Sequence, residues 1–284
     1  MSSGEHNYIG IDLGGTQVRV GAVRGGQLGE IASARVNREA PVAETLEQID
    51  GLLGEVGLEG IQGIGVGVPG LVDVAQGMVY DLQNIPAWVK VPLKSLMEEK
   101  YGLPVQINND ANCFVLGEKQ FGKGRGYQTI VGLIIGTGFG SGVVVGGRLH
   151  QGKNCGAGEF GMIGYLDSHY EMYAAGQFFP RRAGQTGEEL YAKALAGDPQ
   201  ALEIFREFGG HVGNGIKTIL YAYDPEIIII GGTVRTAFDY FKAAMWSAIG
   251  TFAFPESVKN LKIELSELDN IAILGASTLC YSEV

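Results

Sequence analysis

The chain has 284 residues, 45% hydrophobic and 18% charged, below the roughly 25% charge of average globular domains. That leaves ample apolar material for a large core and excludes disorder or a small cross-linked module. With 21 basic and 31 acidic residues the net charge is −10, which opposes nonspecific attraction to nucleic acid or anionic lipid. Three widely spaced cysteines, Cys113, Cys155 and Cys280, form no C-x-x-C pair, so reduced thiols are expected. No stretch approaches the length of a membrane span, and Met1 to Asn7 lacks a signal-peptide layout, which predicts a cytoplasmic protein. The 46 glycines, about twice the usual share, have to sit at particular turns.

From Tyr8 three apolar-alternating runs follow one another, with Gly25-Gly26 as a hairpin signal, which predicts an antiparallel meander. Val42 to Val56 has helical spacing, and Ile61 to Val68 reads as a buried strand. A helix over 93–101, a strand over 105–107 and a helix over 111–121 complete a first lobe, 1–121. A second cycle opens with strands over 129–135 and 141–145, and Gly146-Gly147 repeats the hairpin signal. Adding 121 carries Gly15-Thr16, Gly21, Gly25-Gly26 and Leu28 onto Gly136-Thr137, Gly142, Gly146-Gly147 and Leu149, the mark of a duplicated unit. After a helical stretch, the bare run 226–232 predicts a central strand. A helix over 237–249, a strand near 261–265 and a closing helix from Gly275 end the second lobe, 122–284. The segment from about 270 is expected to pack on the first lobe. Two such lobes imply a cleft, where small ligands usually bind.

Asp12-Leu-Gly-Gly-Thr16 puts a carboxylate at a strand end beside a glycine turn whose amides can form an anion nest. Gly136-Thr-Gly-Phe-Gly140 offers the same chemistry from the second cycle, so two turns could clamp one polyphosphate. A phosphate beside Asp12 needs a cation between them, and Mg²⁺ with its water shell is the usual mediator. There is no P-loop motif. Gly65 to Gly70 matches G-x-G-x-x-G, but Pro69-Gly70 and the extended run after it exclude a dinucleotide fingerprint, which opens a helix. Asn108-Asn109-Asp110 sits between a strand and a helix. It reads either as a helix N-cap or as a polyol site in which Asp110 takes the proton of an attacking hydroxyl. Glu159 and Glu171 add acceptors after the second turn.

These four segments, with Gly158-Glu-Phe-Gly161 as a fifth, stand in the order of the ROK (repressor, open reading frame, kinase) family of sugar kinases, which the chain resembles over nearly its whole length. The resemblance implies an α/β, actin/hexokinase-like fold of two ribonuclease-H-like lobes, and MgATP-dependent phosphorylation of a hexose hydroxyl, usually O6. It implies Asp110 as catalytic base and Gly70, Asn84, Asn109, Glu159 and Glu171 as sugar contacts. Asp12, Gly14, Gly15, Thr16, Thr137 and Gly138 would hold Mg-phosphate, Asp12 through water, with Gly231 and Gly232 along the adenosine. It also implies a homodimer.

One departure is plain. Where the family carries a zinc-binding histidine followed by a cysteine cluster, this chain has Met162 and no cysteine between Cys155 and Cys280, so no zinc is expected. His169 nearby is expected to be solvated. Glucose is the broadest expectation for the substrate; N-acetylmannosamine, N-acetylglucosamine and fructose are alternatives. A sugar-responsive repressor would need a DNA-binding domain ahead of Tyr8. A nonenzymatic sugar or nucleotide sensor would not need Asp110 and both phosphate turns. A polyphosphate-using kinase would need a basic patch, for which Lys123 and Arg125 are the candidates.

Overall fold

The structure is a computed structural model and describes residues 6–80, 82 and 85–281. Chain contacts divide it into two units, residues 1–126 with 142–157 and 267–284, and residues 127–141 with 158–266. The chain begins with strands β1 (Asn7–Leu13), β2 (Gln17–Arg24) and β3 (Gln27–Arg35). Helix α1 (Val42–Val56), strands β4 (Gly63–Val68), β5 (Leu71–Asp73), β6 (Met78–Tyr80) and β7 (Lys90–Val91) follow. Helix α2 (Leu93–Tyr101), strand β8 (Val105–Asn109) and helix α3 (Asp110–Gln120) come next. Strands β1 to β4 and β8 form one sheet in the order β3-β2-β1-β4-β8, antiparallel in the meander and parallel from β1 onward. Their apolar residues, Ile9, Ile11, Ile64, Val66 and Ile107 among them, are buried, and α1 lays Thr45, Ile49, Leu52 and Leu53 on the core at helical spacing. Strands β5, β6 and β7 make a small separate sheet, so the segment after Gly70 is extended.

Next come β9 (Ile130–Ile135), β10 (Phe139–Val145) and β11 (Arg148–Leu149), then β12 (Gly164–Tyr165) and β13 (Ser168–His169). Helices α4 (Glu171–Ala174), α5 (Phe178–Ala183), α6 (Gly187–Leu195) and α7 (Pro199–Tyr223) follow. Strand β14 (Ile227–Gly231), helices α8 (Phe238–Ile249) and α9 (Pro255–Asn260), strand β15 (Lys262–Leu265) and helix α10 (Ile271–Thr278) close the chain. The order β11-β10-β9-β14-β15 repeats that of the first sheet. The duplication extends to register: Val23 pairs with Leu28 and Arg24 with Gln27, while Val144 pairs with Leu149 and Val145 with Arg148. Both hairpins turn on two glycines of positive φ, 55° and 81° at Gly25 and Gly26, 58° and 78° at Gly146 and Gly147, as a tight hairpin of this twist requires.

Many other glycines serve close approach. A Cβ on Gly10 or Gly65 would stand 2.0 Å from Ile273 O or 1.8 Å from Ala276 O, so strands β1 and β4 admit the backbone of α10 directly. Gly275 meets Cys113 O at 1.6 Å in the same way, which seats α10 on α3. In the second unit Gly209 and Gly213 of α7 face Phe241 O and Met245 O of α8 at 2.3 and 2.4 Å. Helix α10 starts at Ile271, four residues before the expected Gly275, because the glycine is a packing position within the helix. Helix α7, 25 residues long, is set by Asp198, whose side chain accepts from Ala201 N at 2.8 Å, and by Pro199 in the first turn.

Candidate functional site

Register brings the first unit's polar residues to one end of its sheet. Asp12 lies beside Gly67, and Gly67 beside Asn108, so the carboxyl ends of β1, β4 and β8 stand abreast. At about 4.8 Å per strand, Asp12 and Asn108 are on the order of 10 Å apart. The turn after β1 is closed by Gly14 N donating to Gln17 O at 2.9 Å. Asp12 Oδ2 accepts from Arg19 Nη2 of the paired strand. Asn109 is the N-cap of α3: its Oδ1 accepts from Ala111 N at 2.9 Å and Asn112 N at 3.3 Å, and its Nδ2 donates to Gly70 O at 3.2 Å. Asp110 begins the helix, its Oδ1 accepting from Ala111 N at 2.9 Å. Burial pushes the Cys113 thiol well above its ordinary range, and the charges of Asp110 and Asp12 push it further, so both carboxylates act on one buried group.

Asn108, buried at the end of β8, joins several elements. Its Oδ1 accepts from Asn109 N at 2.8 Å, Asn112 Nδ2 at 2.9 Å and the Cys155 thiol at 3.2 Å, while its Nδ2 donates to Gln151 Oε1 at 2.8 Å. Asn84 lies outside the described residues.

In the second unit Gly136 N donates to Gly138 O at 3.0 Å, and Gly136 O accepts from Gly176 N at 2.7 Å. Glu171 Oε2 accepts from Phe139 N at 3.0 Å and lies 2.8 Å from where a Gly138 Cβ would stand. Glu171 therefore braces the turn that holds Thr137 and Gly138. Gly231 pairs with Ile134 of β9. Gly232 follows at φ 83°, where a Cβ would come within 2.3 Å of Ile135 O, so the two glycine segments run side by side at the ends of β9 and β14. The Glu159 carboxyl is held above its ordinary value, first by loss of solvation and then by the charge of Glu171.

Among the described residues no group of three or more His, Cys, Asp or Glu side chains could hold a metal ion. Mg²⁺ is commonly held by one or two carboxylates together with substrate phosphates and water, and Asp12 beside a glycine turn fits that role. Zinc does not fit. Met162 is 56% exposed, and the loop behind it is tied down by other means. Tyr165 stacks on Tyr170 with ring centroids 4.3 Å apart. The Tyr165 hydroxyl lies 3.0 Å from His211 Nδ1 and accepts from Asn214 Nδ2 at 2.8 Å; the Tyr170 hydroxyl donates to Asn214 O at 3.2 Å and lies 2.9 Å from Thr218 Oγ1. His169, expected to be solvated, is half-buried: it lies in β13 opposite Gly164 of β12, and its Nδ1 is withdrawn from solvent. Lys123 is paired with Glu267 at 2.9 Å, which weakens it as part of a basic patch.

Arg19, Gln151, Cys155 and Gly176 shape these turns without carrying a local motif of their own. Only the Arg19–Asp12 spacing across a hairpin offered a signal, since residues opposed across a two-glycine turn are neighbours.

Residues 8–283 match the ROK family. A glucokinase from Thermotoga maritima is 31% identical over 97% of this chain and 98% of its own. An N-acetyl-D-glucosamine kinase from Pectobacterium atrosepticum is 31% identical over 79% of this chain and 83% of its own. A ROK family glucokinase from Streptomyces griseus, solved with glucose and AMPPNP, superposes with a TM-score of 0.82 at 26% identity, covering 96% of this chain and 98% of that one. The fold is that of the actin-like ATPases, and the chain belongs to the ROK family.

Proposed function

We propose that this carbohydrate kinase transfers the γ-phosphoryl group of ATP to a hexose hydroxyl, O6 of glucose first. The observation that supports the reading is that Asp12, Gly67 and Asn108 stand abreast across three parallel strands, so the glycine turn after β1 and the start of α3 lie at one sheet end. Asp110 accepts the hydroxyl proton as the sugar oxygen bonds to phosphorus and ADP leaves with the electrons of the broken bond. Asn109 and the Gly70 backbone, joined by their hydrogen bond, form the floor against which the sugar is oriented; Asn84 and Glu159 are further sugar contacts. Glu171 supports the sugar side while holding the Phe139 amide. Gly14, Gly15, Thr16, Thr137 and Gly138 receive phosphate oxygens, and Gly231 and Gly232 lie along the adenosine. When bound with the nucleotide near Asp12, Mg²⁺ neutralises phosphate charge.

Glucose is favoured by the glucokinase relatives. N-acetylglucosamine is the second reading, because a kinase of that sugar is 31% identical. We place the protein in the cytoplasm as a homodimer; the thiols Cys113, Cys155 and Cys280 are free, as a reducing compartment keeps them. The test is MgATP-dependent ADP release measured over about ten hexoses and N-acetylhexosamines. Glucose should give the highest kcat/KM. Turnover with N-acetylglucosamine alone would select the second reading, and no turnover with any sugar would overturn both.

A further inference from the structure

Arg19 and Asp12 are directly opposed in the β1–β2 register, so their side chains leave the same face of the hairpin. The guanidinium is held at two points: Nη2 pairs with Asp12 Oδ2, and Nη1 donates to Asn270 Oδ1 at 3.0 Å. Asn270 sits at φ 57° at the start of α10, a left-handed conformation that asparagine tolerates, and gives Arg19 a neutral anchor. The side chain of Asp12 is only 12% exposed, whereas that of Arg19 is 35% exposed. A carboxylate so far withdrawn from water needs a counter-charge, and Arg19 supplies it. A divalent cation at Asp12 has to compete with that guanidinium.

We propose that Arg19 is a placeholder cation and nucleotide-positioning residue. It keeps Asp12 from binding a free divalent ion, and it turns from Asp12 to a nucleotide phosphate once a cation arrives with the nucleotide, Asn270 retaining the other end. The second half rests on the kinase reading; the first stands on the ion pair alone.

The experiment titrates Mn²⁺ into nucleotide-free protein and reads free Mn²⁺ by electron paramagnetic resonance, for wild type, Arg19→Met, Arg19→Gln, Arg19→Lys and the double variant Asp12→Asn/Arg19→Met. Loss of one cationic neighbour should tighten Mn²⁺ binding about tenfold or more in Arg19→Met and Arg19→Gln. Arg19→Lys should remain as weak as wild type, and the double variant should lose the gain. Equal Mn²⁺ affinity in wild type and in whichever of the Met and Gln variants melts cooperatively would overturn the proposal. The nucleotide half predicts a KM for MgATP raised about tenfold in Arg19→Gln with the sugar KM unchanged; an unchanged MgATP KM overturns that half. If the wild type phosphorylates no sugar, the kinase reading fails while the Mn²⁺ titration still decides the role of Arg19.

Discussion

Asp110 can lose its charge without loss of the helix it begins, because the cap of α3 is made by Asn109 Oδ1 on two backbone amides. Asp110→Asn should therefore lower kcat by about 10²–10⁴, the usual range for a general base, with sugar affinity by calorimetry and the melting temperature close to wild type. Near-normal turnover would remove Asp110 from the role of base. Asp12 and Asp110 stand out as candidates in the sequence because one is a carboxylate at a strand end beside a glycine turn and the other lies where a strand gives way to a helix. The double duty of Asn109, as helix cap and as donor to Gly70 O, was not legible there. Nor was the bracing of Phe139 N by Glu171. Those partners lie 39 and 32 positions away, and no local pattern encodes such distances.

Among the elements, the glycines separate into those that turn the chain and those that let backbones touch. Gly65→Ala would put a methyl 1.8 Å from Ala276 O, and neither β4 nor α10 can yield without moving backbone. The cost should be about 3 kcal/mol, read as a fall in melting temperature on the order of 10 °C. Gly51, within α1, meets nothing within 4 Å and has no positive φ, so Gly51→Ala should stabilise by about 0.5–1 kcal/mol. Equal effects in calorimetry would refute this division. The loop behind Met162 gives a second contrast. Tyr165→Phe removes a hydroxyl shared with His211 and Asn214 and should cost about 1–3 kcal/mol. Treatment of nucleotide-free protein with a chelator should leave the melting curve unmoved, and a lowered midpoint would show that a metal holds this loop after all. The sequence shows no cysteine between Cys155 and Cys280, whereas the tyrosine network of this loop could not be read from it, since His211 and Asn214 lie 46 and 49 positions beyond Tyr165.

For the molecule as a whole, one contribution to the pH dependence of stability comes from His211, which loss of solvation holds below the ordinary histidine value of 6.5, Glu207 opposing. The native state keeps it neutral where the unfolded chain already takes up a proton. The resulting stability is present above about pH 6.5 and is lost as pH falls through that value toward the lower native one. Denaturant midpoints should drop over that range in wild type, and His211→Gln should flatten the slope; an unchanged slope would reassign the pH dependence. Composition, alternation and the 121-residue offset were enough to determine a duplicated α/β chain with a glycine turn after the first strand of each repeat, because strand period and turn glycines are local properties of the chain. Tertiary structure decided which strands lie side by side, and so that Asp12, Gly67 and Asn108 share one row. It also decided that Arg19 pairs with Asp12 and that Gln151 and Cys155 hold Asn108 against Asn109 and Asn112. Sheet order and packing join residues that are remote in sequence, and only the folded chain brings them within hydrogen-bonding distance.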